Sequence, residues 1–375
     1  MEKGFLYSSK IFLHPPVPFV IILSALNEKR LFNVYSFQLT QHTNIKYRDS
    51  LDRLGCNELT AMLIALGIDA PVHIEKLGGA SFMMFDSHPL TEEQLRFLSA
   101  HSAVPFMAEM QEGLLRPLSR PVLNYLPEDL PEILKYKGKT SVTFTRCMIN
   151  VALSASAFSS AKEPLTVLDP VYGKGTTAFC AIQRGMNAAG VDVDIPALKE
   201  SVDYFERYLK YHGLKHTLRK ASETVGKSAV PLSSFTFAPT KEEWQAKDTR
   251  SLTVYQADTS LTERLFRKKP VHLIVADLPY GIQHAPVSGS APESFTSLLN
   301  RVLPSWYNAL LPGGAIAVSF NTLTLPTAKV QSCLTGAGFT VCDGPGYTGY
   351  RHEVEQAVVR DAVFAVKPSD PVVHK

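Results

Sequence analysis

A chain of 375 residues with 45% hydrophobic and 19% charged content can bury a proper core and has room for two domains. A formal net charge of +3 admits contact with a polyanion but falls far short of a nucleic-acid-coating protein, so charge selects no partner. Cys56, Cys147, Cys180, Cys333 and Cys342 stand far apart, with no CxxC and no His/Cys cluster at zinc spacing. This argues against a metal site or a disulfide framework, and for a reducing, cytoplasmic setting.

Residues 1–30 read as an N-terminal arm. Val17 to Leu26 is apolar but interrupted by Pro18. At about ten residues it is too short to span a membrane, and no small-residue cleavage site precedes Glu28-Lys29-Arg30. Residues 31–116 read as a small α+β module. Val34 to Leu39 alternates like a strand and Asn57 to Leu66 is apolar at helical spacing, with Gly67 as its C-cap. Ala80 to Phe85 is a second strand, and Thr91 to Ser99 a helix with Glu92 and Glu93 in its first turn. Residues 117–134 form a connector in which Pro117, Pro121, Pro127 and Pro131 break regular structure.

From 135 onward, strands and helices alternate, the signature of a doubly wound, mostly parallel sheet. Strands are expected at Thr166–Leu168, Ala188–Val193, Leu252–Gln256, Val271–Ala276 and Ala315–Phe320. Helices are expected at Thr177–Gly185 and Pro196–Tyr211, and a closing hairpin near Phe339–Cys342 and Asp361–Val366. The polar stretch Ala221 to Arg250 has little periodicity and reads as a loop insertion.

The strongest local signal is Asp169-Pro170-Val171-Tyr172-Gly173-Lys174-Gly175-Thr176-Thr177, between a strand and a helix. Its glycines permit a tight turn and close approach to a ligand. Asp192 ends the next strand, where an acid can accept hydrogen bonds from ribose hydroxyls. A nucleoside-bearing cofactor is implied. A nicotinamide dinucleotide is the first rival, but Ala178 stands where its fingerprint usually has the third glycine, and Asp169 would repel a pyrophosphate. The same acid suits the ammonium of S-adenosylmethionine, which carries no phosphate. Asp258, after the next strand, is then placed to accept from the adenine amino group.

Ala276-Asp277-Leu278-Pro279-Tyr280-Gly281 opens at the carboxyl edge of the sheet, where such folds bind ligands. An exocyclic amine is a poor nucleophile because its lone pair is delocalised into the ring. Asp277 and the Pro279 carbonyl can accept its two N–H bonds and push it towards tetrahedral geometry, while Tyr280 stacks on the base.

Together the two motifs resemble the signature of the S-adenosylmethionine-dependent amino-methyltransferases, nearest to the tRNA guanine-N2-methyltransferases among the RNA enzymes. The segment Lys135-Tyr136-Lys137-Gly138-Lys139-Thr140 through Phe144-Thr145-Arg146 is similar to the motif that precedes the cofactor loop there. The resemblance is good over Lys135 to Gly281, fair to the C-terminus and faint before Pro117. It implies a Rossmann-like class I methyltransferase fold, with a seven-stranded mostly parallel sheet over residues 135–375. It also implies cofactor contacts from Thr145, Asp169, Pro170, Gly173, Gly175, Thr176, Asp192, Val193, Asp258 and Asp277, and an amine site made of Asp277, Pro279 and Tyr280. The expected cofactor is S-adenosyl-L-methionine and the expected partner tRNA or another RNA, with no metal and no membrane. Leu278 departs from the usual first proline of the turn, as in some RNA guanine methyltransferases. Lys174 replaces a common small residue, at a position expected to point outward.

Little chain follows Phe320, so substrate selection is expected from the N-terminal module. Yet residues 1–130 carry 11 Lys and Arg against 14 Asp and Glu, whereas residues 131–220 carry 13 against 8. Phosphate contacts are therefore expected from Lys135, Lys137 and Lys139, and from the run Arg207, Lys210, Lys215, Arg219 and Lys220, for which a solvated face is the other reading. Tyr347, Tyr350, Arg351 and His352, like Phe235, Phe237 and Trp244, are read either as base contacts or as ordinary residues. A DNA adenine-N6 or cytosine-N4 methyltransferase and a non-catalytic RNA-binding relative remain as alternatives.

Overall fold

The computed structural model describes residues 32–40, 45–121, 124–136, 139–226, 228–278, 287–288, 291–292, 294–355 and 358–369, with backbone alone at 45–49, 287–288, 291–292 and 355. The apolar run of the arm, Lys137, Pro279, Tyr280 and Gly281 lie outside these residues. Among the described residues no helix is long and apolar enough to cross a membrane.

The first unit contains β1 (Asn33–Gln38), α1 (Ile45–Ala65), β2 (His73–Leu77), β3 (Ala80–Ser87), α2 (Glu92–Leu98), β4 (Phe106–Gln111) and β5 (Leu114–Pro117). Its antiparallel sheet runs β2-β3-β1-β4-β5. Tyr35 and Phe37 turn inward on β1, beside Phe85 of β3, so period-two alternation builds this core. Thr91 caps α2 reciprocally with Gln94, which fixes the helix start. The long α1 begins well before Asn57. Strands β2, β4 and β5, short and partly polar, were not expected from the pattern.

The second unit contains α3 (Leu130–Ile133), α4 (Val142–Ala155), β6 (Thr166–Asp169), α5 (Thr176–Gln183), β7 (Asn187–Asp192) and α6 (Ile195–Tyr211). It continues with β8 (Lys215–Val225), β9 (Ser228–Ala238), α7 (Lys241–Gln245), β10 (Arg250–Gln256), α8 (Thr262–Phe266) and β11 (Val271–Asp277). The short pair β12 (Val287–Ser288) and β13 (Ala291–Pro292) precedes α9 (Phe295–Ala309) and β14 (Leu310–Asn321). Last come α10 (Thr327–Gly336), β15 (Thr340–Val341), β16 (His352–Glu355) and β17 (Val358–Val366). The main sheet runs β15-β17-β14-β11-β6-β7-β10-β9-β8, with β16 also on β17. Strands β14, β11, β6, β7 and β10 are mutually parallel, and β17 runs antiparallel between β14 and β15. This is the expected doubly wound, mostly parallel Rossmann-like sheet, carried by seven of its strands.

Its central strands are apolar on both faces, as a sheet covered by helices on each side requires. Leu273 and Val275 of β11 enter one core, together with α4, α5 and α6; Ile274 and Ala276 enter the other, with α8, α9 and α10. The first core runs without a break into the N-terminal unit.

The stretch from 221 to 250 corrects the expectation of a loop. β8 and β9 form a long hairpin that widens the sheet beyond β10. Phe235 and Phe237 are fully buried against Phe205, so they are core residues and not base contacts. Tyr350 is likewise fully buried, its hydroxyl donating to the Gly346 carbonyl at 2.7 Å.

Two features join the units. Glu58 of α1 is 1% exposed and accepts from the Ser102 amide at 2.7 Å and from Asn150 Nδ2 of α4 at 2.5 Å. The loop before β16 lies on α1: Asn57 Nδ2 donates to the Thr348 carbonyl at 2.8 Å and Arg53 Nε to the Gly349 carbonyl at 3.1 Å. Gly346 touches the backbone of α1, since a Cβ there would stand 2.5 Å from the Ala61 nitrogen.

Candidate functional site

The carboxyl ends of β11, β6, β7 and β10 lie side by side. Asp277, Asp169 and Asp192 end the first three, and Asp258 follows the fourth. The chain runs from β6 outward through β7 to β10, then restarts at β11 on the other side of β6. Asp169 and Asp277 therefore flank the topological switch point, where such sheets open a crevice.

The loop after β6 has the conformation its glycines allow, with Gly173 at φ 50° and Gly175 at φ 86°. Pro170 is buried beneath it. The Gly173 amide donates to Asp192 Oδ2 at 2.6 Å and the Asp194 amide to Oδ1 at 2.9 Å, so Asp192 secures the loop from the neighbouring strand. Tyr172 fills the space above β7: a Cβ on Gly190 would come within 2.0 Å of its ring. Val193 and Ile195, 63% and 54% exposed, present apolar surface beside Asp192.

Asp169 is 4% exposed and accepts from the Val171 amide at 3.1 Å. Burial pushes its pKa up to about 7; the bonds from Val171 and Thr177 oppose this, and the charges of Asp277 and Asp192 add to it. Asp258 is far more open. Its Oδ1 accepts from the Ser260 amide at 2.8 Å and from Arg301 Nη1 at 2.9 Å. Burial alone would raise its pKa, but the Ser260 and Arg301 bonds hold it below the usual value.

The segment before α4 folds over the loop. Tyr136 and Thr176 share a hydrogen bond of 2.8 Å between their hydroxyls. Lys174 lies over the Tyr136 ring, 4.9 Å from its centroid, and pairs with Glu200 at 2.6 Å, so this lysine is held rather than simply turned outward. Thr145 is buried and its hydroxyl donates back to the Ser141 carbonyl at 3.1 Å. Lys139 turns away, to the Pro131 carbonyl at 2.5 Å.

Asp277 sits in a different setting. Its Oδ2 accepts from Thr140 Oγ1 and lies 3.2 Å from Arg360 Nη1 of β17, a residue 2% exposed. Its Oδ1 is buried without a hydrogen-bond partner among the described residues. So is the hydroxyl of Ser319, which stands opposite it on β14. His352 packs edge-on against Phe144 at 4.5 Å, its pKa lowered to about 4 mainly by burial. Thr140, Ser319 and Arg360 had no assigned role in the sequence reading. A legible signal was Arg360 itself, which with Asp361 interrupts the apolar run Val358 to Val366; a cation buried in a strand demands a partner.

Among the described residues no group of three or more His, Cys, Asp or Glu could hold a metal ion. Of the basic run, Lys210 pairs with Glu206 one turn away, as on a solvated helix face.

No family model matches the chain, and no curated protein does. Among solved structures, a candidate RNA methyltransferase of Pyrococcus horikoshii is 12% identical over 64% of this chain and 94% of its own, with a TM-score of 0.38. The magnesium protoporphyrin IX methyltransferase of Synechocystis with bound SAH is 13% identical over 62% and 90%, at 0.36. The ribosomal protein L11 methylase of Lactobacillus delbrueckii subsp. bulgaricus is 14% identical over 60% and 80%, at 0.32. These three act on different kinds of molecule by name, and the fold assignment rests on the strand order.

Proposed function

We propose that this protein transfers a methyl group from S-adenosylmethionine to an exocyclic amino group of a base in RNA, with guanine N2 in tRNA as the specific target. The observation that carries this reading is the buried Oδ1 of Asp277 beside the switch point, which has no hydrogen-bond partner among the described residues. A buried acceptor without a donor is costly unless a ligand supplies one. An amine N–H is such a donor. The Pro279 carbonyl and Tyr280 would complete the site, as the resemblance implies.

The cofactor's fit rests on the chain's own residues. Asp169 offers a buried acid to an ammonium group, Asp192 an acid beside the glycine loop, and Val193 and Ile195 exposed apolar surface for an adenine ring. Gly173, Gly175, Thr176 and Asp258 line the same edge. When bound, S-adenosylmethionine supplies a methyl on a sulfonium, which departs with its bonding electrons as a neutral thioether. Asp277 draws the amine lone pair out of conjugation, and that pair forms the new N–C bond. The nitrogen then carries one proton too many, which the Asp277 carboxylate can take. RNA is favoured over DNA by the separate N-terminal unit and by the excess of Lys and Arg over residues 131–220.

The test is transfer of labelled methyl to unmodified tRNA, rRNA and DNA, with Asp277→Ala as control. Label in tRNA that digests to N2-methylguanosine and disappears in the variant supports the reading. Label in DNA alone replaces it with a DNA enzyme, and cofactor binding without any transfer replaces it with a non-catalytic relative.

A further inference from the structure

We propose that Arg360 is a positioning residue for methyl transfer, holding the Asp277 carboxylate turned so that Oδ1 faces the amine. The inference rests on the amine-methylation reading above.

Thr140 and Arg360 both engage the same oxygen, Oδ2, from two separate elements. That leaves Oδ1 as the open acceptor and fixes the plane of the carboxylate. Arg360 adds a planar, directional donor to that oxygen, so the carboxylate is held from two sides rather than by one flexible contact.

The groups around Asp277 come from several elements. Arg360 comes from β17, the uncharged Thr140 from the segment before α4, and Ser319 from β14. Asp169 on β6 and His352 on β16 lie near enough to feel its charge. Lys139, next to Thr140 in the chain, is engaged elsewhere. Arg360 is thus the cation in direct contact with Asp277 among the described residues.

The experiment compares the wild-type chain with Arg360→Met, Arg360→Lys and Thr140→Val, measuring kcat and KM for methyl transfer to unmodified tRNA, rRNA and DNA, together with cofactor affinity and Tm. For Arg360→Met kcat should fall by about 100-fold with KM nearly unchanged. Cofactor affinity should stay within about threefold, since Arg360 makes no cofactor contact. Arg360→Lys should recover part of kcat because a cationic donor returns to Oδ2. Thr140→Val should lower kcat at unchanged KM. A merely structural arginine would lower Tm and leave the kcat of the folded protein where it was.

If the wild type methylates RNA or DNA and folded Arg360→Met keeps wild-type kcat, the inference is overturned while the amine reading stands. If the wild type transfers methyl to no nucleic acid, the amine reading fails and takes this inference with it. Should Arg360→Met not fold, Arg360→Lys and Thr140→Val decide: wild-type kcat in both overturns it.

Discussion

Asp258 and Asp277 lie at the same edge of the same sheet, yet their surroundings differ in kind. Asp258, beyond β10, is half open to solvent and already accepts from a backbone amide and an arginine. Asp277, ending β11, has one oxygen fixed by Thr140 and Arg360 and the other buried with no described partner. An acid whose bonds are satisfied and whose charge faces water can be lost at small cost. One that holds a buried acceptor open has its function in whatever fills it.

The largest expected effect breaks the comparison directly. Asp277→Ala should lower methyl transfer by about 10³-fold with cofactor affinity nearly unchanged, whereas Asp258→Ala should weaken cofactor binding by about tenfold and spare kcat. Single-turnover rates and equilibrium dialysis on both variants check this. Equal losses in kcat would erase the distinction drawn here.

Asp169 stands between the two and should make cofactor binding depend on pH. Its pKa of about 7 lies above the ordinary carboxylate value, so the ligand-free protein carries it largely protonated in mild acid. Stability of the free protein should then fall as pH rises towards 7, since the folded state is the one that binds the extra proton. A cationic ligand prefers the ionised form. Affinity for S-adenosylmethionine should rise by up to about tenfold per pH unit below about 7 and level off above it. Calorimetric titrations that give one affinity from mild acid to mild base would remove Asp169 from the ammonium role.

Smaller effects sharpen the contrast. Arg301→Met removes the partner of Asp258 and should cost no more than about 1 kcal/mol, because the pair is solvent-screened. Ser319→Ala, opposite Asp277, deletes a buried hydroxyl without a described partner and should leave Tm within a few degrees or raise it. A large loss of Tm in either variant would reveal a further stabilising bond at that side chain.

Much of this site was legible in the sequence because it hangs on local signals. A strand, a glycine turn and an acid follow one another at Asp169 to Thr177, and short apolar runs between helical stretches located β6, β7, β10, β11 and β14. The hairpin of β8 and β9 was missed because its exposed positions are polar on both faces. Phe235 and Phe237, two apart, were the clue that this stretch alternates. What surrounds Asp277 was not legible, since nothing local links Thr140, Ser319 and Arg360. They meet only after β17 has been laid beside β14. The joints between the units are equally non-local, as with Gly346 against the backbone of α1.

The widened sheet also has to end somewhere. β8 is its outermost strand, 11 residues long, and no other described strand covers its far side. A rim of that length is a template on which another molecule could extend the sheet. Lys215, Arg219 and Lys220 are exposed along it, and a like copy laid alongside would have to crowd these cations together without water. The polar residues that hid the strand from pattern reading are the same ones that make such a pairing costly.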